Sequence, residues 1–146
     1  MTARPTNASA GKMASRAYAD IGLQTQVLGA SPQHLITLLF DGAQAAILKA
    51  RLHMRQGNIE GRGLAISRAI DIVDSGLKTS VDREAGGELA ANLLTVYDLV
   101  IRNLMLANLN NDAARLDLAE RLLTDIGDAW RTSTGSGTGS RTGIGT

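Results

Sequence analysis

Two histidines, His34 and His53, are the only imidazoles in this chain of 146 residues, and there is no cysteine. A thiolate nucleophile, a disulfide and a Cys-ligated metal are therefore outside its chemistry. Both histidines fall within one predicted helix, where their separation at ~1.5 Å per residue is roughly 28 Å, too far for a shared metal ion. No Glu-x-x-His pair of the kind that builds inward-facing carboxylate sites occurs. Asp41, Glu88 and Asp98 all lie outside the apolar arcs of their predicted helices, so the pattern offers no buried general acid or base. Ser31 reads as a helix cap rather than a nucleophile, because no histidine is placed to activate it. The pair Gly86-Gly87 is no phosphate loop, since no strand precedes it and no Lys-Ser/Thr follows. The sequence points away from an enzyme, with no cofactor and no metal expected. His34, on a first helical turn, reads as a solvated residue, with contact to a partner as the rarer alternative.

Composition narrows the class further. The chain is 44% hydrophobic but only 3% aromatic, so its core must be built from Ala, Leu, Ile and Val. Its net charge of +1 lacks the concentrated basic face of a nucleic-acid binder. The absence of cysteine fits a reducing compartment. No apolar run resembles a signal peptide or approaches the ~18 residues of a membrane span. The expectation is a soluble cytoplasmic protein without nucleic-acid binding or membrane insertion.

The elements that must position these residues are helices. Ser31 is a good N-cap, Pro32 suits the first helical position and Gly57 suits the stop, which predicts a helix over 31–57. Asn58 then caps a helix over about 59–80, with Ala65, Ile66, Ala69, Ile70, Ile72, Val73 and Leu77 at helical spacing. Residues 80–87 form a connector. A second long helix covers about 88–109, and Asn110-Asn111-Asp112 caps a last one over about 112–131, with Leu116, Ala119, Leu122, Leu123, Ile126 and Trp130 as its stripe. Residues 1–13 are expected to be disordered, 14–28 to form a short, weak helix, and the Gly/Ser/Thr-rich tail 132–146 to be flexible. No segment alternates with period two. The fold class is all-α: an elongated antiparallel four-helix bundle with a short N-terminal helix.

Two of these helices carry more apolar surface than a simple bundle needs. On the 31–57 helix the apolar residues spread over roughly 200°, and on the 88–109 helix over roughly 180°. An ordinary surface helix needs only a little over ~100°. Leu99 and Leu106 add a further pair on the otherwise polar side. The surplus has two explanations: a self-associating structural bundle that forms a homodimer, or a groove that receives amphipathic helices of another protein. Composition does not choose between them.

The order of short blocks does. Ala30-Ser31-Pro32-Gln33-His34-Leu35-Ile36 with Leu39-Phe40-Asp41-Gly42-Ala43, then Ala69-Ile70-Asp71-Ile72-Val73 with Gly76-Leu77, closely resemble the FliS family of flagellin export chaperones. So do Gly86-Gly87-Glu88-Leu89-Ala90, Asn92-Leu93, Leu94, Tyr97-Asp98, Ala107-Asn108 and Ala129-Trp130. The blocks keep their register from about Tyr18 to Trp130, in the manner of the proteobacterial branch. The resemblance implies a cytoplasmic, non-catalytic chaperone. Its client would be the disordered C-terminal region of flagellin, which folds as helices on the chaperone, is kept from premature polymerisation and is delivered to the cytoplasmic domain of the flagellar type III export gate. It also implies that Tyr18 belongs to an N-terminal segment able to occupy or leave the client groove. Leu35, Ile36, Leu39, Phe40, Leu93, Tyr97, Ile101 and Leu104 are the groove candidates, each of the aliphatic ones equally readable as ordinary core. Phe40 and Tyr97 are favoured as two-χ aromatic anchors. Asp41 and Asp98 read as rim charges.

Overall fold

The computed structural model describes residues 30–134. Four helical elements follow one another: α1 (Pro32–Gln56), α2 (Ile59–Asp71, running on through a π-helical turn Ile72–Leu77 and a 3-10 turn Lys78–Ser80), α3 (Arg83–Asn110) and α4 (Ala113–Ser133). No strand occurs among the described residues. The expected helix over 14–28, the disordered 1–13, Tyr18 and the tail beyond Thr134 lie outside them.

Local chemistry accounts for each boundary. The Ser31 hydroxyl accepts the His34 backbone N–H at 3.1 Å, and Pro32 occupies the first turn. Gly57, at φ 70°, ends α1, with its N–H and that of Asn58 closing back onto Met54 and His53. Asn58 caps α2 through Gly61, and Asp112 caps α4 through Ala114 and Arg115. Asn111 makes the left-handed turn between α3 and α4.

Two elements differ from the sequence reading. The helix expected over 59–80 is compound, widening into a π turn where Gly76 passes Leu39. A Cβ at Gly76 would stand 2.7 Å from a Leu39 methyl carbon, so the backbones approach closer than any side chain allows. The Ser80 hydroxyl donates to the Gly76 carbonyl at 2.7 Å, and that of Thr79 to the carbonyls of Ser75 and Gly76, satisfying acceptors that the altered winding leaves open. The connector over 80–87 is largely helical, because the Asp82 carboxylate accepts the N–H groups of Glu84 and Ala85 and starts a turn. That turn breaks at Gly87, whose φ of 55° and ψ of −129° belong to a region open essentially to glycine, and the uninterrupted helix runs from Glu88.

Links of two residues force successive helices to run antiparallel. Cross-links close the ring: along α1, Thr37, Gln44 and Arg51 meet Trp130, Thr124 and Asp117 of α4, so rising numbers on one helix pair with falling numbers on the other, and Asp41 meets Arg131. Between α2 and α3, Arg62 bonds Asn108 while Lys78 bonds Asp98. Inside lie Leu39, Phe40, Ile47, Ile66, Ile72, Val73, Val100, Leu104, Leu116 and Leu123, all buried. Phe40 and Tyr97 meet across this core at 6.5 Å between ring centroids, tilted by 42°.

Candidate functional site: apolar surface the bundle leaves uncovered

The groove candidates divide by depth. Leu35, Leu39, Phe40, Tyr97 and Leu104 are at most 3% exposed and belong to the interior between α1 and α3. Ile36, Leu93 and Ile101 are half-buried at its margin, packed on that core while still reaching solvent. Tyr18 lies outside the described residues. Helical geometry explains the split: in each stripe the central residues point at the bundle axis, and the flanking ones fall at the groove lips. Burial in apolar surroundings pushes the Tyr97 phenol well above its ordinary range, so it stays neutral under physiological conditions.

Asp41 and Asp98 are rim carboxylates, and each ties two helices together. Asp41 accepts a 2.6 Å hydrogen bond from the Arg131 guanidinium of α4. Asp98 accepts one of 2.6 Å from Lys78, which also faces Asp74 at 3.6 Å. The hydrogen bond to Asp98 holds the Lys78 ammonium above its ordinary pKa, against the smaller cost of burial. Arg51 joins α1 to α4 through Asp117 and Glu120 at 2.7 and 2.6 Å. Burial opposes its charge, but the two carboxylates outweigh that and raise its pKa. Glu88 is exposed.

His34 is exposed, and the His53 ring packs on Gly61 and meets the Asn58 amide at 3.3 Å. Among the described residues no cluster of His, Asp and Glu could hold a metal ion. An open surface depression of about 560 Å³ at Asp128, Ala129, Thr132 and Ser133 brings together no catalytic constellation.

What remains is apolar surface. Ile59 (68% exposed), Met105 (56%) and Leu109 (78%) stand out on α2 and α3, with Leu64 and Leu89 also strongly exposed, Leu48 of α1 as exposed as Met105, and Leu52 and Leu99 a little under half exposed. Leu106 is half-buried. Sequence reasoning singled out none of Ile59, Leu64, Met105 and Leu109. The available signal was the arc itself: where it is wider than the neighbouring helices can cover, its edge must emerge. By length and composition α3 could cross a membrane. Here it buries Ala90, Tyr97, Val100 and Leu104 in the core and turns Asp98 and Arg102 outward.

Residues 13–136 match the family model described as flagellar protein FliS. The chain is 47% identical over 116 residues to the flagellar secretion chaperone FliS of Salmonella typhimurium, spanning 80% of this chain and 86% of that protein. It is 42% identical over 119 residues to the protein of that name from Escherichia coli (82% and 88%), and 37% over 117 residues to the flagellar secretion chaperone FliSB of Pseudomonas aeruginosa (80% and 92%). An all-α bundle with uncovered apolar faces and a match across most of its length is a member of the FliS family of flagellar secretion chaperones.

Proposed function

We propose that this protein is a cytoplasmic, non-catalytic export chaperone for flagellin. It binds the disordered C-terminal region of its client, prevents premature polymerisation and delivers the subunit to the cytoplasmic domain of the flagellar type III export gate. The observation that carries the reading is apolar surface on an otherwise well-closed bundle of this family: large aliphatic side chains are more than half exposed, while caps and ion pairs satisfy the polar groups around them. A client that cannot bury its own apolar faces gains by covering such surface. In this reading Ile36, Leu93 and Ile101, part-exposed at the margin of the core, meet the client directly. Leu35, Leu39, Phe40, Tyr97 and Leu104 set the packing beneath them, and Tyr18 contributes from the N-terminal segment.

Calorimetric titration with a peptide spanning the C-terminal region of the host's flagellin tests this. The expected result is one-to-one binding with a strongly negative heat-capacity change, the signature of folding coupled to apolar burial. Absence of binding refutes the reading and moves the exposed surface to the homodimer account, which sedimentation at several concentrations then decides.

A further inference from the structure

We infer that Arg62 is a latch that keeps α4 folded back on its own chain: without it, the corner between α3 and α4 straightens and α4 is exchanged with a second copy of the protein. The inference concerns the bundle itself and does not depend on the chaperone reading. In an exchanged pair the α4 of each chain would sit on the other chain and remake the same contacts, among them Arg115 on the buried Asn103 and Thr124 on Gln44. Exchange therefore leaves those interfaces unchanged, and the balance between the closed and the exchanged form is set at the corner.

The corner is short. Asn111 and Asp112 alone separate the helical spans, and Asn111 holds φ 52° and ψ 50°. Among the described residues it is the only one other than glycine with positive φ. The matching corner between α1 and α2 puts Gly57 at φ 70°, a conformation that glycine adopts with no Cβ to obstruct it. Asparagine tolerates the left-handed region but does not favour it over the right-handed one. Right-handed torsions at Asn111 and Asp112 would run α3 and α4 together as one helix.

Backbone bonding shows what Arg62 does there. In a continuous helix the Asp112 N–H would bond the carbonyl of Asn108, four residues back. In the closed corner it donates instead to the Ala107 carbonyl at 3.0 Å, as does the N–H of Asn111. The Asn108 carbonyl thus loses its helical donor. Arg62 Nη2 supplies another at 3.0 Å. The same guanidinium donates from Nε to the Asn108 side-chain oxygen at 3.1 Å and from Nη1 to that of Asn111 at 2.7 Å. One planar fork replaces the bond that the corner gives up and holds the residue whose backbone makes the turn. Leu109 and Asn110, which end α3, are exposed, so water can reach the remaining open carbonyls.

The chain contains no cysteine, so a reporter pair can be introduced without interference. Gln44→Cys with Thr124→Cys puts one thiol on α1 and one on α4, where the native side chains meet. The full chain is unfolded in urea, refolded at low and at high concentration, and joined through its thiols by a short bis-maleimide. With Arg62 in place the link is expected within one chain. Arg62→Ala combined with Asn111→Ala should raise the share of chains linked to a second chain about ten-fold or more at high concentration, with helical circular dichroism retained. Arg62→Ala combined with Asn111→Gly should bring that share back towards the wild-type level, because glycine takes the left-handed corner unaided. Should Arg62→Ala not fold, Arg62→Lys in its stead, which keeps the charge but cannot fork onto both asparagines, decides by the same readout. Variants that stay monomeric, with the link inside one chain at every concentration, overturn the inference. So do dimers whose links remain within each chain, since those pair by their surfaces without exchanging α4. Exchange equally extensive with Arg62 in place overturns it as well.

Discussion

Gly63→Ala and Gly76→Ala make the same chemical change on the same compound helix, and the structure predicts opposite signs. Both replace the poorest common helix former after proline by the best, a gain of about 1 kcal/mol where nothing opposes it. At Gly63 nothing does: the new methyl finds Asn108 at 3.9 Å, an ordinary contact. The expected result is a stabilisation of about 0.5–1 kcal/mol. At Gly76 the methyl would meet Leu39 Cδ2 at 2.7 Å and Cδ1 at 3.2 Å, well inside the ~3.5 Å at which two carbons rest. Turning Leu39 moves one methyl away and leaves the other in conflict. Leu39 is fully buried and has no solvent to yield into. Overpacking of this kind costs about 1–3 kcal/mol, which exceeds the propensity gain. The net is a loss of up to about 2 kcal/mol, or up to roughly 8 °C in Tm for a domain of this size. Urea unfolding followed by circular dichroism checks both variants. A Gly76→Ala protein as stable as wild type, or a Gly63→Ala protein less stable, refutes the assignment of close approach to one glycine and open space to the other. Combining Leu39→Val with Gly76→Ala should recover part of the loss, because it removes bulk from the collision.

Further outcomes follow from the same contacts. Phe40→Ala should cost about 3–5 kcal/mol, since it opens a cavity against Tyr97 and Gly127 in a fully packed interior; chemical denaturation measures it. Arg51→Ala should cost about 1–2 kcal/mol, because it leaves Asp117 and Glu120 without the cation that ties both of them to α1, and high salt should shrink the difference. Stability should fall at alkaline pH. Tyr97 and Lys78 both have pKa values raised by folding, so above about 10 the unfolded chain releases protons that the folded chain retains. Melting curves recorded across that range should be flatter for Tyr97→Phe than for wild type, and equal slopes would contradict the buried phenol.

How much of this could be read from the sequence depends on what each feature needs. The caps at Ser31, Asn58 and Asp112 and the stop at Gly57 were legible because each is a contact between residues a few positions apart, with the donor and acceptor written in the sequence. The four-helix class followed from apolar spacing for the same reason. The π turn at Ile72–Leu77 was not legible, because the close approach that accompanies it comes from Leu39 on another helix. Asp82 was read as part of a connector over residues 80–87. The structure keeps the cap and confines the break to Gly87. At the candidate site the wheel gave the width of each arc correctly but not its coverage. Whether Tyr97 or Met105 meets solvent depends on where the neighbouring helices end and how closely they pack, which is long-range information.

That separation of width from coverage bears on which seams of the bundle are fastened by polar bonds and which are left to packing. Its polar fastenings concentrate on the α1–α4 seam, where Trp130 donates to Thr37, Gln44 to Thr124, Arg131 to Asp41 and Arg51 to Asp117 and Glu120. Leu48 and Leu52, four residues apart on α1, are also exposed, with Lys49, Arg51 and Arg55 close to them in sequence. The α2–α3 seam is fastened near its ends, by Arg62 and by Lys78, and between them it is lined by aliphatic side chains. A pair of helices held at two points resists splaying while leaving the interval free of directional bonds. Apolar contacts are tolerant of exact register, so the middle of such a seam is held by packing alone. Adding a disulfide cross-link between α2 and α3 at mid-seam should therefore raise the stability of the bundle, and urea unfolding of the oxidised against the reduced form checks it: equal midpoints would show that the seam gains nothing from a further fastening.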